Sequence, residues 1–156
     1  MNRPRMSVFA VILGAFGVCL TACSQPPATP GARAAHERHE HFEALGKAFK
    51  ALDDESKRAA PDAVRMARHV DEVADLAQRL PNWFPEGSGP WDGVKTHARP
   101  EIWTDPVSFS ERARAFQNAA EKLRAAAPEG VAAMRARMGD VGAACGACHK
   151  AFREKD

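Results

Sequence analysis

The chain has 156 residues, enough for one domain with its own core, and 45% of them are hydrophobic. Its 22 Lys and Arg stand against 20 Asp and Glu, a formal net charge of +2. Arg3 and Arg5 account for that excess, so the chain beyond residue 22 is balanced, and neither nucleic acid nor an anionic membrane surface is indicated as a partner.

The N-terminus reads as a targeting segment. Arg3 and Arg5 precede an uncharged apolar run from Ser7 to Ala22, the form of a secretory signal and too short for a membrane span. The run ends in Leu20-Thr21-Ala22-Cys23, which resembles the lipobox of bacterial lipoproteins. That resemblance implies cleavage before Cys23 and lipidation of its thiol, with several acyl chains giving a stable anchor; an ordinary secretory signal cut nearby is the alternative. Ser24, not Asp, follows the Cys, which by resemblance to enterobacterial sorting favours the outer membrane over the inner. The expected organisation is a signal at 1–22, a lipidated Pro-rich tether at 23–33 and one periplasm-facing domain at 34–156.

Four amphipathic segments follow. The first runs from about Ala34 to Leu52, with Phe42, Leu45, Phe49 and Leu52 at steps of three and four, and the acidic cluster Asp53-Asp54-Glu55 is expected to end it. The second spans about Pro61 to Leu80, with Pro61 in its first turn and a stripe of Val64, Ala67, Val70, Val73, Ala74, Ala77 and Leu80. Residues 81–106 are Gly-, Pro- and Trp-rich and aperiodic, long enough to be ordered against something and functional. Asp105-Pro106 caps the third, which carries Phe109, Ala113, Phe116, Ala120, Leu123 and Ala127. Pro128 opens the fourth, where Val131, Met134, Met138, Val141, Cys145, Cys148 and Phe152 continue the seam. Four such segments and no strand signal predict an all-α, antiparallel four-helix bundle, pairing first with second and third with fourth.

The last segment carries the chemistry. Cys145-Gly-Ala-Cys148-His149 is the Cys-x-x-Cys-His pattern that attaches a c-type haem. Each thiol adds to a vinyl group and the imidazole binds iron from one face. On a helix the three residues share one stripe, and because the cysteines lie on the apolar seam the haem belongs inside the bundle. A zinc half-site is the competing reading, but no second Cys or His pair at matching spacing follows. Cys19 leaves with the signal and Cys23 takes lipid, so no pair remains for a disulfide.

With these motifs placed, the chain resembles the cytochrome c′ family, the class II c-type cytochromes, over about residues 34 to 155. The resemblance rests on three features: the C-terminal haem motif, the stretch Ala98-Arg99-Pro100-Glu101-Ile102-Trp103-Thr104-Asp105 with Phe109 after it, and Leu80-Pro81-Asn82-Trp83-Phe84 followed by Pro85-Glu86-Gly87. It implies one haem c bound through Cys145 and Cys148, with His149 as proximal iron ligand. Arg153 matches the family's basic residue near that imidazole, a solvated helix end being the alternative. Arg38 matches an Arg that pairs with a haem propionate. His39 falls beside the haem edge and His97 where the loop meets a propionate; an exposed His is the alternative for both. Phe42 matches the residue packed over the open iron face, and Trp83, Phe84 and Phe116 are expected wall residues. The cluster His36, His39 and His41 offers a sixth iron ligand or a zinc site as alternatives, but 36 and 41 lie well around the helix from the face of Phe42 and the cluster reads as a solvated face; Met134 and Met138 read as core.

Phenyl cannot ligate iron and the first segment has no Met, so the expected iron is five-coordinate and high-spin. The expected function is binding of nitric oxide, and of carbon monoxide, under the Phe42 cap, as the family is thought to do. The alternative is periplasmic electron transfer to a membrane-bound redox partner. An enzymatic role is disfavoured because Phe42 supplies no acid–base group beside the iron face. Members of the family often form homodimers through their first two helices.

Overall fold

A computed structural model describes residues 29–155 except Asp92. The signal, Cys19, Cys23 and residues 24–28 of the tether lie outside the described residues. The bundle is built from α1 (Pro30–Ser56), α2 (Ala63–Arg79), α4 (Pro106–Ala126) and α5 (Val131–Phe152), with a one-turn α3 (Glu101–Thr104) and 3-10 turns at Leu80–Trp83 and Ala127–Glu129.

Local chemistry sets where each helix begins. The Thr29 hydroxyl accepts from the Ala32 amide at 3.1 Å and Pro30 occupies the first turn, so α1 starts inside the stretch expected to be an extended tether. It also runs through the acidic cluster, because Lys50 pairs with Asp54 and Lys57 with Asp53 at i,i+4 and so holds those carboxylates on the helix. Asp62, not Pro61, opens α2: its carboxylate accepts from the amides of Val64 at 2.9 Å and Arg65 at 3.1 Å. Those amide bonds, the Arg65 one foremost, hold its carboxyl below the usual carboxylate range. The Asp105–Pro106 start of α4 is as expected, with Asp105 accepting from Ser108 N at 3.1 Å. Pro128 lies in a 3-10 turn, and α5 begins only after Gly130, whose φ of 94° is open to glycine and strained for other residues.

The core is one cluster. Met66, Val70, Val73, Ala74 and Ala77 of α2 meet Phe109, Phe116, Ala120 and Leu123 of α4 and Met134 and Val141 of α5. Val64, expected in the α2 stripe, is 74% exposed, and Met66 is buried in its place. Met134 and Met138 are core, as expected. Packing runs α1 on α2, α2 on α4 and α4 on α5, while α1 and α5, which close the ring, touch sparingly.

That last seam is held at its ends. At one end Arg135 of α5 donates Nε to the Ser56 carbonyl of α1 at 2.9 Å. At the other, the loop crosses the end of α5: Ala98 and Arg153 form an antiparallel bridge, Arg99 N donates to Phe152 O at 2.9 Å and Glu154 N to His97 O at 2.8 Å. The haem motif lies on this seam in the last turns of α5, just before that clasp.

Candidate functional site

Cys145, Cys148 and His149 occupy the last two turns of α5 on its core-facing side. Both thiols are free and half-buried. Burial pushes the Cys145 thiol up to about 11, with the neighbouring Cys148 adding to the effect, and raises Cys148 too. Both are packed against the core, on the side of α5 that faces the bundle. His149 keeps an exposed edge, yet desolvation of its flank, and then the charge of Arg153, hold it below the ordinary imidazole value. Its neutral form, the one that can ligate iron, is favoured.

Across the α1/α5 seam stands Phe42. Its ring centroid is 6.5 Å from that of His149, with the planes 66° apart. That is edge-to-face contact range, and it sets the imidazole and an apolar ring opposite each other on the seam along which the haem cysteines lie. Phe42 is braced from behind by Trp83 (5.1 Å, edge-on) and Phe84 (6.1 Å). The aromatic wall continues from Phe84 to Phe109 at 4.8 Å and from Phe109 to Phe152 at 5.5 Å.

Arg38, one turn before Phe42, is 3% exposed. Its guanidinium donates to Trp83 O (3.3 Å), Ser88 Oγ (2.9 Å), Ser88 O (2.9 Å) and Thr96 Oγ1 (2.9 Å), and lies over the Phe84 and Trp103 rings. All four acceptors are uncharged, and burial lowers its pKa to about 10. A buried cation whose acceptors are all neutral is suited to an anionic group arriving at the site. The Cys145, Cys148 and His149 donors and the buried Arg38 cation fit a haem. Among the described residues no group of three or more His, Cys, Asp or Glu is placed to hold a metal ion.

The remaining expected residues are placed less centrally. His39 and His97 are exposed, His97 contributing its carbonyl to the clasp on α5. Arg153 is exposed on extended backbone past α5, its charge acting on His149. His36 is solvated beside Glu40. His41 departs from the expected solvated face: it is half-buried and stacks on Trp83 at 4.9 Å. The indole reaches round from Phe42 to cover it, a contact between elements that helical spacing alone does not show. Ser88, fully buried and accepting from Arg38 while donating to Pro85 O at 2.7 Å, was not expected. Its signal is a small polar residue between glycines, Gly87-Ser88-Gly89, in a stretch otherwise made of rings and prolines.

Known proteins resemble this chain over most of its described length. Residues 33–153 match the family model described as Cytochrome C'. A cytochrome c' of Alcaligenes xylosoxydans xylosoxydans is 46% identical over 101 residues, covering 64% of this chain and 76% of its own. A nitric oxide complex of a mutant cytochrome c prime from Alcaligenes xylosoxidans superposes with a TM-score of 0.72 at 34% identity, over 80% of this chain and 97% of that one. A carbon monoxide-bound variant from the same organism gives 0.72 at 35% identity over the same shares.

Proposed function

The chain belongs to the cytochrome c′ family and binds haem c covalently through Cys145 and Cys148, and on that premise we propose that it binds nitric oxide, and carbon monoxide, at the iron face beneath Phe42. His149 would hold the haem iron, and the haem would supply the metal to which a diatomic gas can bind. The carrying observation is the opposition of His149 and Phe42 across the α1/α5 seam. Phe42 offers no lone pair, and α1 contains no Met, so the position it covers is left to a small exogenous ligand and the iron is five-coordinate. Arg38 neutralises a propionate from inside the bundle, and Arg153 biases the proximal imidazole towards its neutral form. Relatives at 34–35% identity have been crystallised with these two gases, which supports the reading. With an apolar cap and no acid–base group on Phe42, no catalytic role is assigned. The site faces the periplasm on a chain anchored by lipid at Cys23, the outer membrane favoured.

Electron transfer to a membrane-bound partner is the second reading, favoured by the lipobox-like sequence, since tethering raises effective concentration. Absorption spectra of the purified ferric and ferrous protein, with and without nitric oxide, separate the two. A high-spin ferric spectrum that shifts on adding nitric oxide supports gas binding. A low-spin, six-coordinate spectrum indifferent to the gas refutes it and leaves electron transfer.

A further inference from the structure

One surface of the bundle is unlike the rest. A hollow of about 610 Å³ opens between the 81–106 loop and α4, lined by Phe84, Trp91, Trp103, Phe109, Pro81 and Pro106. A second hollow of about 310 Å³ adjoins it, sharing Pro106, Ser110 and Arg114 and adding Val107. Val107 is 68% exposed, one of two large hydrophobic residues so exposed among the described residues. None of the lining residues is on α1 or α5, so the hollow is separate from the haem seam, with Phe84 and Phe109 as the wall between them. Exposed apolar surface of this kind marks an interaction site, and paired indoles beside prolines and an aliphatic side chain suit the boundary between lipid headgroups and acyl chains.

The start of α1 decides the occupant. Its first turn is pressed against the same loop: a Cβ built on Gly31 lies 2.0 Å from the Gly87 carbonyl, next to Glu86 on the hollow's rim. Six residues lie between Cys23 and Pro30, and the seven Cα-to-Cα steps, at about 3.5 Å each, reach at most roughly 25 Å. The 27 residues of α1 extend roughly 40 Å at 1.5 Å per residue. A lipid at Cys23 therefore keeps the hollow's end of the bundle within about 25 Å of the bilayer, while the opposite end ranges out to about 65 Å.

We propose that this end is the membrane-facing surface, with Trp91, Trp103 and Val107 seated at the lipid interface, so that the haem motif in the last turns of α5 is presented towards the bilayer. The proposal rests on the lipid anchor at Cys23. The surface carries both signs of charge, Glu86 and Glu111 beside Arg114, so the contact is apolar and insensitive to salt.

The test uses the mature lipidated holoprotein in phosphatidylcholine vesicles, compared by hydrogen exchange with the soluble Cys23→Ser holoprotein. Amides within 84–107 are expected to slow several-fold in the vesicles, with α1–α2 turn amides unchanged. Val107→Asp and Trp91→Ser are expected to abolish that slowing while leaving the haem spectrum and vesicle association intact. Failure of the lipidated protein to sediment with vesicles overturns both the anchor and this proposal. Sedimentation without slowing at 84–107, or with slowing centred on exposed Val64, overturns the proposal alone. Slowing at 84–107 in the soluble form that grows with protein concentration assigns the surface to a second copy and also overturns it.

Discussion

Removing the Phe42 ring is the sharpest test of the site. For a ligand to reach the iron face beneath it, the ring must swing away from Trp83 and Phe84, which it meets at 5.1 and 6.1 Å. Two aromatic pairs at about 0.5–1.5 kcal/mol each put the displacement at about 1–3 kcal/mol, equivalent to roughly 5- to 150-fold in rate. Phe42→Ala is therefore expected to accelerate carbon monoxide binding to the ferrous protein by that factor, measured by stopped-flow absorbance. The substitution also costs stability. A fully buried Phe→Ala costs about 3–5 kcal/mol; with Phe42 half-buried, about 2 kcal/mol is expected, a fall in Tm of roughly 8 °C for a domain of this size. Phe42→Met, by contrast, places a thioether where phenyl stood and is expected to give a six-coordinate, low-spin spectrum. An on-rate for Phe42→Ala within twofold of the parent, with the spectrum still five-coordinate, refutes the assignment of Phe42 as the cap.

Three further outcomes follow from the same structure. Arg38→Leu takes the guanidinium from the Trp83 and Ser88 carbonyls and from Ser88 Oγ and Thr96 Oγ1, the two hydroxyls keeping their bonds to Pro85 O and Ala98 N; at about 1–3 kcal/mol for each buried carbonyl left unpaired, the 84–97 loop should become a site of early proteolysis in limited digestion, and an undigested loop would show that its order does not depend on this side chain. Gly31→Ala and Gly46→Ala should move in opposite directions: the first drives a methyl into the Gly87 carbonyl, whereas the second meets nothing within 4 Å and should gain about 0.5–1 kcal/mol of helix propensity, both read from thermal melts. Asp62 titrates below its ordinary value because it caps α2. Its folded pKa is depressed, so its stabilisation is full above the unfolded value and lost as pH falls through the folded one; Asp62→Asn should flatten the acid limb of a Tm-against-pH curve, and an unchanged limb would refute the cap's role there.

Much of this was legible because helical periodicity and short-range motifs report local events. The cysteines and His149 on one stripe, the Asp105–Pro106 start and the order of helix pairing all follow from residues within a few turns of each other. The errors have identifiable causes. Val64 and Met66 are both apolar, and only the phase set by Val70, Val73 and Ala77 distinguishes them: Val64 lies six residues before Val70, roughly 120° around the helix from it, and so faces solvent. The start of α1 was hidden by Pro30, which reads as tether chemistry until Thr29 is seen to cap it. Arg38 was identified as a candidate anion partner, but its role in fixing the loop was not, because its acceptors lie 45 to 58 residues away in a stretch without periodicity. No local pattern encodes such a contact.

The weak contact between α1 and α5 links the cofactor to the fold itself. Three of the four seams are closed by ordinary side-chain packing; the α1/α5 seam is sparse, bridged at one end by Arg135 on Ser56 and flanked at the other by the 97–99 loop clasping residues 152–154. Between them lie Phe42, Cys145 and Cys148, all half-buried although all are apolar enough for a core. A covalently attached macrocycle would stay on the chain when it unfolds, but only in the folded bundle would its apolar faces be buried between α1 and α5, so it would stabilise the bundle by the area it hides from water. If Phe42 caps the iron face as proposed, the cap is also packed against the core, so the Phe42 substitutions are read on two axes, gas kinetics and Tm. A variant that lost stability without gaining rate would mark the ring as packing alone, and one that gained rate at undiminished Tm would mark the seam as already closed without it.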